Sequence, residues 1–103
     1  MSVTLYIKSK KKARTVMPLV KSAIEAEIAN LKLAIELAVI RLKPFEEKYQ
    51  VPSEHFIKNM AAEDLEGGDD EFISWAGEYE LKQCLVKKLR HLQEIKYDNT
   101  EIH

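Results

Sequence analysis

One pattern governs what this chain can fold into. Ile24, Ile28, Leu31, Ile35, Ala38, Leu42, Phe45 and Tyr49 recur at spacings of four and three. That is the heptad period, which places a stripe along one side of an α-helix and has no counterpart in the period of two of a strand. A helix striped in this way packs along another helix. Pro44 falls inside the stripe, lacks a backbone N–H and disfavours helical geometry at Lys43, so the sequence predicts a kink near residue 44 with the last turns continuing to Tyr49. Pro18 is tolerated in the first turn of the same helix, which Thr15 is placed to cap.

The opposite side of this helix is also apolar. At 100° per residue, Ala26, Leu33, Leu37 and Ile40 fall across the axis from Ile24, Ile28, Leu31 and Ile35. A helix apolar on two sides is sandwiched between neighbours, yet the chain supplies only one other long helix. Leu33, Leu37 and Ile40 are therefore candidate residues of a dimer or partner interface. A single hairpin seam is marginal against the entropy of ordering two long helices, and burying the second face in a dimer or hetero-complex relieves that deficit.

The remaining elements follow from local signals. Val3, Leu5 and Ile7 alternate with Thr4, Tyr6 and Lys8, which predicts a strand over 3–8. No second strand is evident, so its ladder is expected to be completed by a second copy or a partner. A basic arm covers 9–14, the long helix 15–50, and Ser53 caps a short helix over 53–61 that buries Phe56, Ile57 and Met60. Glu66-Gly67-Gly68-Asp69 reads as a turn, with Asp69 or Asp70 capping a last helix over 70–97. That helix begins with Phe72, Trp75, Ala76 and Tyr79, then shifts its apolar side to Leu81, Leu85, Leu89, Leu92 and Ile95, with Gly77 beside the shift. Residues 98–103 read as a frayed tail.

The expected fold is thus one mainly α domain over 1–103: an antiparallel hairpin of two long helices, a short connecting helix and a short N-terminal β-strand. Helices of about 40–50 Å exceed the roughly 35 Å diameter of a compact chain this size, so the molecule is expected to be elongated and assembled as a four-helix-bundle-like dimer.

Composition excludes several functions. One cysteine among 103 residues permits neither an intrachain disulfide nor a multi-cysteine zinc site, and points to a reducing, cytoplasmic setting. The three glycines all lie at or beyond Gly67, leaving no glycine-rich phosphate loop. His55, His91 and His103 follow Pro52, Lys88 and Thr100 at three residues, so the Glu-x-x-His pairs of di-iron bundles are missing. Cys84, without a histidine neighbour in a leucine-rich helix, reads as a buried structural thiol, and His91 as a solvated surface residue. No catalytic, cofactor-binding or metal residues are assigned, no cofactor is called for, and the leader and membrane-span patterns are not met.

Near-neutral net charge conceals two patches. Lys8, Lys10, Lys11, Lys12 and Arg14 form a basic run, and Glu63, Asp64, Glu66, Asp69, Asp70 and Glu71 an acidic one. The acidic spacing does not fit an EF-hand, so Glu63, Asp64, Glu66, Asp69 and Asp70 are candidates for docking a basic partner. The order strand, basic segment, helix is how ribbon-helix-helix DNA binders begin, which makes the five basic residues candidates for nucleic-acid contact. Trp75 and Tyr79, one helical turn apart beside Phe72, are candidate interface residues, with a core role as the alternative.

Phe45-Glu46-Glu47-Lys48-Tyr49, Ser53-Glu54-His55-Phe56, and Asp64 through Glu80, with its Gly67-Gly68-Asp69-Asp70 turn and Trp75-x-x-x-Tyr79, resemble small helical antitoxin-like or uncharacterised proteins of archaea and bacteria, cyanobacteria included. The resemblance implies a non-enzymatic protein that binds a small cognate toxin and masks its active site. Beside it stand a structural homodimer with no toxin partner and a nucleic-acid-binding autoregulator using the strand and basic arm.

Overall fold

A computed structural model describes residues 3–8 and 13–99. In chain order it has β1 (Val3–Ile7), α1 (Ala13–Tyr49), α2 (Ser53–Asn59), a 3-10 turn (Ala62–Asp64), α3 (Gly68–Gln93) and β2 (Ile95–Asn99). The chain is mainly helical, with three helices and a short N-terminal strand, as the periodicity predicts. It forms two compact units: one takes in the residues up to Leu33 and from Val86 onward, the other Ala34–Leu85.

The heptad stripe of α1 is its covered side. Leu31, Ala38 and Leu42 are buried and Ile24, Ile28, Ile35, Phe45 and Tyr49 half-buried. The helix starts at Ala13, earlier than expected, so Thr15 lies inside it rather than capping it. Pro18 consequently sits in the second turn, where its missing N–H removes the helical donor for the Arg14 carbonyl. Pro44 does not interrupt the helix, which ends one residue before Gln50 adopts a left-handed conformation (φ 56°). The Gln50 side chain donates back to the Glu47 carbonyl at 2.6 Å, supplying one of the partners a helix end lacks.

In the unit Ala34–Leu85 the core is aromatic. Trp75 and Phe56 are fully buried, their rings stacked with centroids 3.8 Å apart. Phe45 and Tyr49 stack on Trp75 at 5.4 and 5.7 Å, and Phe72 tilts against Phe56. Leu42 and Leu65 complete the buried cluster. Ser53 begins α2 but does not cap it; its hydroxyl accepts the Trp75 indole N–H at 2.9 Å and donates to Glu46 at 2.7 Å. A buried indole N–H requires an acceptor, and that demand takes the oxygen that would otherwise have capped the helix. The short helix ends at Asn59, before the expected residue 61.

The other unit overturns the expectation of a lone strand. β1 pairs in parallel with β2, in the register Val3↔Ile95, Leu5↔Tyr97 and Ile7↔Asn99, and the Val3 N–H donates to the Glu94 carbonyl at 3.0 Å. A helix over 70–97 and a tail from 98 are therefore corrected: α3 ends at Gln93, and residues 95–99 are strand. Ile95 continues the i, i+3 spacing from Leu92, which is why it reads as helix. Yet Ile95 and Tyr97 also alternate with Lys96 and Asp98, the period of a strand. Parallel strands need a long crossover, and here the helices provide it. Leu5, Ile7, Ile95 and Tyr97 are half-buried, and the Lys21 ammonium lies 5.1 Å from the Tyr97 ring centroid.

Removing the central ring should cost most of the stability a small domain possesses: Trp75→Ala is expected to destabilise by about 3–5 kcal/mol, read from chemical denaturation. Gly77, inside α3, has open space where a Cβ would stand. Gly77→Ala is therefore expected to stabilise by about 0.5–1 kcal/mol, seen as a raised melting temperature.

Candidate functional site

Most residues of the acidic and aromatic motif meet at the junction of α1, α2 and α3. Glu71, in the first turn of α3, is gripped from three sides. The Lys48 ammonium donates to its Oε2 at 2.8 Å, the Tyr49 hydroxyl donates to its Oε1, and the Gly67 N–H donates to Oε1 at 3.1 Å. The Tyr49 oxygen in turn accepts the Glu66 N–H at 2.8 Å, and Lys48 also lies 3.4 Å from Glu66. Gly68 takes φ +59°, a left-handed conformation that side chains disfavour, and so turns the chain into α3. The expected capping by Asp69 or Asp70 is replaced by Glu71, whose carboxylate reaches back to the Gly67 N–H.

This arrangement sets the charges. Hydrogen bonding from Lys48, then from Tyr49, lowers the Glu71 pKa from 4.5 to about 2 against partial burial. The same pair raises the Lys48 ammonium well above its ordinary value, chiefly through the bond to Glu71.

The acidic candidates thus divide. Asp64 accepts the Ala61 N–H at 2.8 Å across the 3-10 turn, and Glu66 contributes its backbone N–H to Tyr49 and its carboxylate to Lys48. Glu63, Asp69 and Asp70 are exposed and make no ion pair among the described residues. Glu63 precedes the Gly67–Gly68 turn in the chain, and Asp69 and Asp70 follow it.

The aromatic candidates move inward. Trp75 has no exposed surface, so its assignment to an interface is corrected to the core; Tyr79 is half-buried against the same core and accepts from Gln83. Leu33, Leu37 and Ile40 are 58%, 43% and 59% exposed. Cys84 is exposed rather than buried, because the apolar side of α3 passes through Leu85 and Leu89 instead. Lys8 and Arg14 are exposed, while Lys10, Lys11 and Lys12 lie outside the described residues. With one edge of β1 taken by β2, the strand no longer calls for a second copy to complete a DNA-reading ribbon.

The surface of the described residues includes open hollows. One of about 380 Å³ is lined by Lys43, Glu46, Glu47, Gln50, Val51 and Pro52, and one of about 450 Å³ by Glu27, Leu31, Lys88, His91 and Leu92. Neither brings Cys84 to a base. Among the described residues no group of three or more His, Cys, Asp or Glu side chains is placed to hold a metal, and no helix is long and apolar enough to cross a membrane. No family model, curated protein or solved structure matches the chain.

The Glu71 contacts predict a pH signature. Because its folded pKa is depressed, the carboxylate stabilises the fold fully above about 4.5 and loses that contribution as pH falls toward about 2. Glu71→Gln should be less stable at pH 7 and show a shallower decline across that window. Denaturation midpoints measured from pH 7 to 2 check it; parallel curves for the two proteins would contradict the assignment.

Proposed function

We propose that the chain is a non-enzymatic, antitoxin-like binding module that neutralises a small cognate toxin by masking its active site. One observation carries the reading: Lys48, Tyr49 and Glu71 are engaged with one another, while Glu63, Asp69 and Asp70, on either side of the turn they brace, are exposed and have no ion-pair partner among the described residues. Fixed, uncompensated carboxylates suit a basic surface such as that of a nuclease, where complementary charge speeds encounter and fixes orientation. The motif that carries the antitoxin resemblance is the one that braces this turn. Masking is then steric and electrostatic, with the acidic edge laid against the toxin and the rest of the domain excluding its substrate.

The test begins with the genes beside this one. A neighbour whose product halts growth alone, is harmless when expressed with this chain and co-purifies with it is the expected result. Adjacent products that are each harmless alone would end the reading. Changing Glu63, Asp69 and Asp70 together to Lys should weaken toxin capture at least tenfold and mostly through the association rate, with the melting temperature little changed.

A further inference from the structure

Helix α1 carries a second heptad stripe that none of the described residues covers. Leu19, Ala23, Ala26, Asn30, Leu33 and Leu37 follow one another at spacings of four and three, Ile40 continues the series, and every one of them is exposed. The interleaved stripe from Ile24 to Tyr49 is buried or half-buried at every position. The two series therefore lie on different sides of one helix, one spent inside the chain and one left outside. Leu19 is 67% exposed, Leu33 58% and Ile40 59%, a line of large apolar side chains along roughly 30 Å of helix.

The order of sizes along the stripe names its occupant. Past Leu19 the stripe divides: small residues, Ala23, Ala26 and Asn30, come first, and large ones, Leu33, Leu37 and Ile40, follow. Laid antiparallel against a copy of itself, the stripe sets Ala23 against the partner's Ile40, Ala26 against the partner's Leu37 and Asn30 against the partner's Leu33. Each of these layers then holds one large and one small side chain, and a single interaxial distance serves the stretch from Ala23 to Ile40. A parallel pairing would put alanine on alanine and leucine on leucine, which demand different separations within one straight contact. Half-exposed leucines and isoleucine with the small residues between them offer on the order of 600 Å² from each copy, and roughly 1,200 Å² for the pair reaches the lower edge of stable interfaces.

We propose that two copies of this chain associate through the outward stripe of α1, antiparallel, about a two-fold axis between Asn30 and Leu33. The proposal does not rest on the antitoxin reading, and its test uses the full chain alone. Light scattering should give twice the chain mass at micromolar concentration. Leu37→Glu, at an exposed position, should give the single-chain mass with an unchanged circular dichroism spectrum. In a Cys84→Ser background, Ala26→Cys protein mixed with Leu37→Cys protein should form the mixed disulfide under mild oxidation, whereas Ala26→Cys alone should not crosslink. A single-chain mass for the unaltered protein, a dimer that survives Leu37→Glu, or ready crosslinking of Ala26→Cys with itself would each overturn it. Capture of the stripe by a different protein while the chain stays monomeric would overturn it too.

Discussion

Burying the Trp75 indole obliges the chain to supply an acceptor for its N–H, and much of the local structure follows from that obligation. The acceptor is the Ser53 hydroxyl, held by Glu46 through both its Oγ–H and its backbone N–H. Glu46 belongs to α1, Ser53 to α2 and Trp75 to α3, so one buried donor ties three helices together. The stacked rings of Phe45, Tyr49 and Phe56 supply the apolar area, but they are nondirectional. The Ser53 link fixes where α2 lies against them.

A second tie stands beside the first. Lys48 and Tyr49 come from the last turn of α1, next to the residues that enclose Trp75, and both bind Glu71 one turn before it in α3. The phenol serves twice, with its ring on Trp75 and its oxygen between Glu71 and the Glu66 N–H. Glu66 and Glu71, which the sequence places in one acidic run, are thus partly tied into the fold by Lys48 and Tyr49.

Much of this was legible in the sequence because it depends on periodicity. The heptad stripe located α1 and its covered side at every position, and the short helix and the Gly68 turn followed from Pro52, Ser53 and the paired glycines. What escaped was whatever depends on contacts distant along the chain. Ser53 has the residue type and position of an N-cap, and only the presence of Trp75 twenty-two residues later takes its hydroxyl away. Ile95 satisfies both a helical spacing and a strand alternation; the presence of β1 as a hydrogen-bonding mate decides between them. Cys84 read as buried because leucines flank it, but at 100° per residue a neighbour of Leu85 faces another direction. Sequence spacing locates a face, and the partner that face meets decides what each residue on it does.

The same distinction separates the two stripes of α1. Both have the heptad period, and the pattern alone does not say which is core. In the described structure the aromatic series, ending in Phe45 and Tyr49, goes inside because it meets Phe56 and Trp75, whose flat rings stack on it. The aliphatic series through Leu33, Leu37 and Ile40 finds no such complement among the described residues. From Ala23 to Ile40 its residues pass from small to large, and that gradient is what the proposed antiparallel pairing of two copies would use. An acidic edge and an apolar stripe then leave the molecule with two surfaces of different chemistry: salt weakens contacts at the first, whereas burial at the second is largely indifferent to it. On the two proposals, association that persists at high salt would belong to the stripe, and association that salt abolishes would belong to the carboxylates.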